Sequence, residues 1–144
     1  MPQLFVQFAI ATLLVVLCLV IHGLALFNLS RVMRGEVALE RMRHIRPLSP
    51  RGAVFTLSVV LAMFALHGLE IWIFALSYWL LGAVEGLEDA LYFSTISYST
   101  VGFNDTHILT QWRLVGAFES ILGVFLLGWS TAFFFRMLGR IEAH

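Results

Sequence analysis

Three long apolar stretches dominate the chain, and short polar segments separate them. They cover residues 1–30, 52–84 and 112–138, and the first has no acidic or basic side chain except His22. At a helical rise of about 1.5 Å per residue, each stretch is long enough to cross the roughly 30 Å apolar core of a bilayer. The pattern therefore predicts three transmembrane helices.

Composition agrees with a membrane protein, because 60% of the 144 residues are hydrophobic and only 12% are charged. Six of the nine arginines lie in the segment 31–51, and two more, Arg136 and Arg140, lie near the end of the chain. The positive-inside rule makes both regions cytoplasmic and places the N-terminus outside the cell membrane. The arginines of the segment 31–51 also suit contact with anionic lipid headgroups, although a role in fixing the membrane topology explains their presence equally well.

The segment 87–105, between the second and third apolar stretches, differs from both. Glu88 or Asp89 can cap the start of a short helix, and Gly102 ends it. Hydroxyl side chains accumulate toward that end, at Ser94, Thr95, Ser97, Ser99 and Thr100. Inside a membrane, non-helical backbone is tolerated only where protein buries it or where it lines a water-filled cavity. We therefore expect this segment to belong to a pore or a binding site.

Residues 99–105, Ser-Thr-Val-Gly-Phe-Asn-Asp, are similar to the Thr-Thr-Val-Gly-Tyr-Gly-Asp signature of potassium-channel selectivity filters. Residues 90–94 resemble the pore helix of these channels, and the flanking apolar stretches resemble their outer and inner helices. Over residues 52–140 the chain thus resembles the bacterial pore-loop potassium channel family, with one extra N-terminal helix. The resemblance implies an all-α membrane protein with three transmembrane helices, a re-entrant pore helix and a selectivity-filter loop, assembled as a homotetramer.

The same resemblance implies a passive potassium-selective channel, in which backbone carbonyls replace the water around the ion. The K+ ligands would be Thr100, Val101, Gly102 and Phe103. The residues that support the filter would be Ser99, Asn104, Asp105, Tyr92 and Phe93. We expect no cofactor apart from K+ as the permeant ion, no nucleic-acid partner and no enzymatic activity, because no nucleophile–base spacing is present.

Two positions depart from the family pattern. Asn104 stands where the family usually has its second glycine, and Ile96 where some members carry a glutamate that bonds to the filter aspartate. Asparagine tolerates the left-handed backbone region better than most residues, so the loop can still form. Two alternatives to the potassium channel stay open: a weakly selective monovalent cation channel, and a non-conducting membrane subunit with a vestigial pore loop.

Five residues are candidates for gating. They are Gly123, Gly128, Glu70, His67 and Glu119. The two glycines suit close helix contact or, by resemblance to channel inner helices, a hinge at Gly123. We expect Glu119 to pack behind the pore helix rather than to face the permeation path.

His67 and Glu70 are three residues apart and so share one face of the second helix. A carboxylate inside a membrane needs a partner, a proton or water. We favour structural pairing of Glu70 with His67 or a neighbouring helix, then a pH-sensitive gate, then a metal site shared with His22. By helical rise, His22 lies about 12 Å from the end of its helix and His67 about 22 Å from the start of the next. This difference in depth argues against shared coordination.

Overall fold

The computed structural model describes residues 2–34, 50–102 and 108–142. The described residues contain no strand and form helices α1, α2, α3 and α4, with one 3-10 turn before α4. Their bounds are Pro2–Arg34 for α1, Pro50–Leu80 for α2, Leu87–Tyr98 for α3, Thr110–Trp112 for the turn and Arg113–Glu142 for α4. The predicted all-α fold is confirmed.

Helices α1, α2 and α4 are each long and apolar enough to cross a membrane. The spans are Gln3–Val32, Pro50–Leu80 and Thr110–Gly139. At most 28% of the most apolar part of each span is buried inside the single chain, and the exposed side chains include large apolar ones such as Phe5, Phe64 and Ile121. Water would not tolerate such extensive apolar faces on a monomer, whereas lipid tails solvate them.

A glycine-dependent turn ends α2 and directs the chain into α3. Gly82 has a φ of 63°, and its N–H donates to the Trp79 carbonyl at 3.1 Å. The Ala83 N–H donates to the Tyr78 carbonyl at 2.8 Å. This pair of bonds is a Schellman motif, in which a left-handed residue lets the chain satisfy the last carbonyls of the helix. The turn leads after a few residues into α3, which packs against both α2 and α4.

The core lies where α3 sits between α2 and α4. Phe93 packs edge-on against Tyr78, with ring centroids 5.3 Å apart. On α4, a Cβ added at Gly116 would lie 2.9 Å from the Phe93 ring, and a Cβ added at Gly123 would overlap the carbonyl of Tyr98. The absence of side chains at these two positions therefore lets α4 approach the short helix closely.

Helix α1 lies mainly against α4 and contacts α2 less. Its buried positions recur every three or four residues, at Gln7, Ala11, Leu14, Cys18, His22 and Leu26. That spacing is the period of one helix face. His22 is fully buried on this face, so α1 delivers an imidazole to the interior of the bundle.

Candidate functional site

The predicted filter follows directly on α3, which ends at Tyr98. Thr100 and Gly102 both have left-handed backbone, with φ of 61° and 54°, and Val101 between them does not. In the part of the chain that the structure describes, Thr100 is the one residue other than glycine with a positive φ. That conformation is unusual for a β-branched residue. The remaining predicted filter positions lie outside the described residues; they are Phe103, Asn104 and Asp105.

The described residues predicted to support the filter lie in three different environments. Phe93 is buried in the core against Tyr78, whereas Tyr92 is half exposed on the single chain. Ser99 donates its hydroxyl to the Thr95 carbonyl at 2.7 Å. The Thr95 carbonyl thus accepts both the backbone N–H and the hydroxyl of Ser99, at the point where α3 ends and the predicted filter begins.

Glu119 of α4 is fully buried behind α3. Its carboxylate accepts a hydrogen bond from the Ser94 hydroxyl at 2.5 Å and another from the Tyr78 hydroxyl at 2.6 Å. Ser94 belongs to α3 and Tyr78 to α2, so one carboxylate ties three helices together.

The sequence placed Glu119 behind the pore helix but did not identify Tyr78 as its partner. The sequence of α2 does contain a signal for Tyr78, because Glu70, Phe74 and Tyr78 follow one another at intervals of four residues. The structure buries all three. Residues four apart lie on the same face of a helix, so Tyr78 lies on the face of Glu70, about two turns further along α2.

A second buried carboxylate, that of Glu70 on α2, lies near the end of α3. Tyr98 donates its hydroxyl to Glu70 Oε2 at 2.5 Å, and His22 Nδ1 of α1 lies 2.8 Å from Oε1. His67 Nδ1 lies 3.3 Å from Oε2 and 2.8 Å from the Tyr98 hydroxyl. His22 Nε2 in turn lies 3.2 Å from Ser130 Oγ of α4. We call these five residues the Glu70 cluster; it joins all four helices.

His22 and His67 lie side by side, with ring centroids 5.4 Å apart, so the predicted difference in their depths is wrong. That prediction took the end of the first helix and the start of the second to lie at one membrane face. Helix α1 in fact continues to Arg34, and the 31 residues of α2 span about 46 Å, more than a bilayer core, so Pro50 does not mark that face. Glu70 pairs both with His67 and with His22 of the neighbouring helix α1. This is the structural pairing that the sequence favoured for Glu70.

Helix α4 runs without interruption through Gly123 and Gly128. Gly123 is buried against the Tyr98 carbonyl, as expected for a glycine that allows close contact between helices. An added Cβ at Gly128 would have no neighbour within 4 Å. Hinge motion at Gly123 stays a prediction.

A model of an ion channel family, representing a two-helix channel pore domain, matches residues 54–140. The matched range contains both buried carboxylates and the described part of the predicted filter, whereas α1 with His22 lies outside it. Searches of curated proteins and of solved structures found no match. The family match covers more than half of the chain and coincides with the spanning helices and the short helix between them. The chain therefore belongs to this ion channel family and is a membrane ion channel.

Proposed function

We propose that the protein is a passive potassium-selective channel of the cell membrane, with a carbonyl-lined filter on the fourfold axis of a homotetramer. The backbone of residues 100–103 binds K+ in this proposal. The N-terminus lies outside, and the segment 31–51 and the C-terminus lie in the cytoplasm, where the segment 31–51 contacts anionic lipid.

The backbone of Thr100 and Gly102 is the observation that carries this proposal. In an ordinary extended strand successive residues face opposite sides, so a row of carbonyls facing one ion path requires left-handed residues at intervals. Thr100 and Gly102, with φ of 61° and 54°, provide them on either side of Val101. The left-handed region costs an L-residue about 1–2 kcal/mol. A threonine that adopts it supports a functional reason for the conformation.

Electrostatics around this segment favour a cation. Helix α3 directs its C-terminal end at the filter stretch, and that end carries roughly half a negative elementary charge. Glu85, Glu88 and Asp89 are exposed at the start of α3 and give the outer mouth of the proposed pore a negative potential. Both contributions raise the local concentration of cations and neither discriminates K+ from Na+. Selectivity in the proposal rests on the carbonyl ring alone.

One chain cannot enclose an ion with these carbonyls. Thr100 is exposed on the single chain, and Val101 is 50% exposed. Fourfold symmetry would bring four copies of this exposed stretch together around one axis. In the proposed tetramer α4 is the inner helix, and α1 and α2 lie outside it.

Cation flux into liposomes that hold the purified protein tests the proposal. We expect K+ uptake to exceed Na+ uptake, and we expect Gly102→Ala to abolish it, because alanine at a φ of 54° is strained by about 1–2 kcal/mol and redirects the neighbouring carbonyls. Gly139→Ala is the matched control. Gly139 lies in α4 with no atom within 4 Å of an added Cβ, so this variant should conduct like the wild type.

Two results would contradict the potassium channel. Equal uptake of Na+ and K+ would support a weakly selective cation channel, and Asn104, at the position of the family's second glycine, would be the residue to replace by glycine. No uptake of either ion by folded protein that does not form a tetramer would support the non-conducting subunit with a vestigial pore loop.

A further inference from the structure

The donor atoms of the Glu70 cluster converge as ligands do around a metal ion. His22, His67 and Glu70 each offer one ligand atom, a ring nitrogen or a carboxylate oxygen, and these three atoms all lie within 4.8 Å of one another. In a tetrahedral zinc site, with metal–ligand distances of about 2.0–2.1 Å, neighbouring donor atoms are roughly 3.3 Å apart. The imidazole–carboxylate separations here are 2.8 Å, from His22 Nδ1 to Glu70 Oε1, and 3.3 Å, from His67 Nδ1 to the other carboxylate oxygen, Oε2. We propose that His22, His67 and Glu70 bind a divalent transition metal ion of the zinc class.

The types of ligand support this class of ion. Two imidazoles and one carboxylate form the protein ligand set of many accessible zinc sites, in which water takes the fourth position. Imidazole nitrogen favours zinc and its transition-metal neighbours over the hard cations that oxygen ligands prefer. An alkali ion passing through the pore therefore does not compete for this site.

Neighbouring side chains hold the proposed ligands in the required orientation. Ser130 Oγ lies 3.2 Å from His22 Nε2, which leaves Nδ1 of the same ring directed at Glu70. The Tyr98 hydroxyl donates to Glu70 Oε2 and fixes the carboxylate plane. Metal-binding histidines in proteins are oriented in this way through the second ring nitrogen, and carboxylate ligands through hydrogen bonds of their own.

Burial and access also fit a metal ion. Glu70 and His22 have no exposed side-chain surface. A carboxylate so deeply buried in a membrane protein needs a partner, a proton or water, and a metal ion would be such a partner. His67 is 13% exposed and opens onto a cavity of about 570 Å³ between α2, the end of α3 and α4. Tyr98, Ser99 and Thr131 line the same cavity, which gives a metal ion an access route and leaves room for a water ligand.

The position of the site links α1 to the pore. His22 comes from the helix outside the family match, and the other two ligands come from α2 beside Tyr98. Tyr98 is the last residue of α3, and the proposed filter begins two residues later. A bound metal ion would thus clamp the additional helix to the base of the pore helix. This inference does not depend on which cation the channel conducts.

Metal titration of the full chain, purified without a histidine tag and treated with a chelator, tests the proposal. By calorimetry we expect one Zn²⁺ per chain, and with Co²⁺ we expect the intense visible absorption of a four-coordinate ion. Ser130→Ala should weaken Zn²⁺ binding about ten- to a hundredfold, as loss of an orienting partner does elsewhere. His22→Gln and His67→Gln remove ligands and should weaken it more than Ser130→Ala does.

Histidines elsewhere in the chain supply the matched controls. His44→Gln and His107→Gln should bind Zn²⁺ like the wild type. Equal weakening in these controls, less than one Zn²⁺ per chain in the wild type, or a six-coordinate Co²⁺ spectrum would each overturn the proposal and leave the cluster as a hydrogen-bond network. If a ligand variant fails to fold, as judged by gel filtration, the Co²⁺ spectrum of the wild type still decides.

Discussion

At the scale of single residues, four glycines have two different structural roles. Gly82 provides a positive φ where the chain leaves α2, and Gly102 provides one within the predicted filter. Gly116 and Gly123 provide space, because a side chain there would collide with Phe93 or with the Tyr98 carbonyl. The first pair is needed for the course of the backbone and the second for helix contact, so substitutions in the two pairs should have different consequences.

Replacing Gly123 by alanine should destabilise the protein by roughly 1–3 kcal/mol, because the added methyl group overlaps backbone that cannot rotate away. Gly128→Ala on the same helix is the control. It meets no atom within 4 Å, so we expect unchanged stability or a gain of up to about 1 kcal/mol from the better helix propensity of alanine. Unfolding in mixed micelles of mild detergent and dodecyl sulfate measures both variants. If Gly123→Ala changed channel opening at unchanged stability, the hinge interpretation would replace the contact interpretation.

At the scale of elements, α3 is held at two points by carboxylates from the helices on either side. Glu119 of α4 accepts from Ser94 in the middle of α3, and Glu70 of α2 accepts from Tyr98 at its end. The two α3 positions are four residues apart and so lie on the same face of the helix. In a membrane, where apolar packing gains little over contact with lipid, such bonds and close packing together fix a short helix.

Tyr78→Phe removes one of the two donors to Glu119 and leaves a buried carboxylate with one hydrogen bond fewer. We expect a loss of about 1–3 kcal/mol in the free energy of unfolding. Tyr92→Phe is the matched control, because Tyr92 lies on α3 with half of its surface exposed, and its loss should be smaller. A double-mutant cycle with Glu119→Ala, which removes both acceptor oxygens, would isolate the Tyr78–Glu119 coupling. Additive effects of the two substitutions would show that this bond does not stabilise the arrangement.

At the scale of the whole molecule, the proposed pore brings together four copies of the exposed stretch that follows α3. Native mass spectrometry of protein released from mild detergent should give a mass four times that of one chain. Gly139→Ala should retain this mass because it changes no contact in the structure. A stable monomer or dimer that still conducts would exclude the fourfold pore and would require another way to enclose the ion.

The sequence alone determined the membrane class, the three spanning helices and the short helix between the second and third, because these depend on apolar length and on local turn chemistry. It also located both buried carboxylates. Their partners came only from the tertiary structure: His22 and Glu70 are 48 residues apart, and His22 and Ser130 are 108 apart. Helical rise gives the position of a residue along its own helix. The tilt of each helix and the length by which it extends beyond the bilayer decide which residues of two helices lie at the same depth. The packing of α1 against α4 therefore decided that two histidines and one carboxylate meet beside α3.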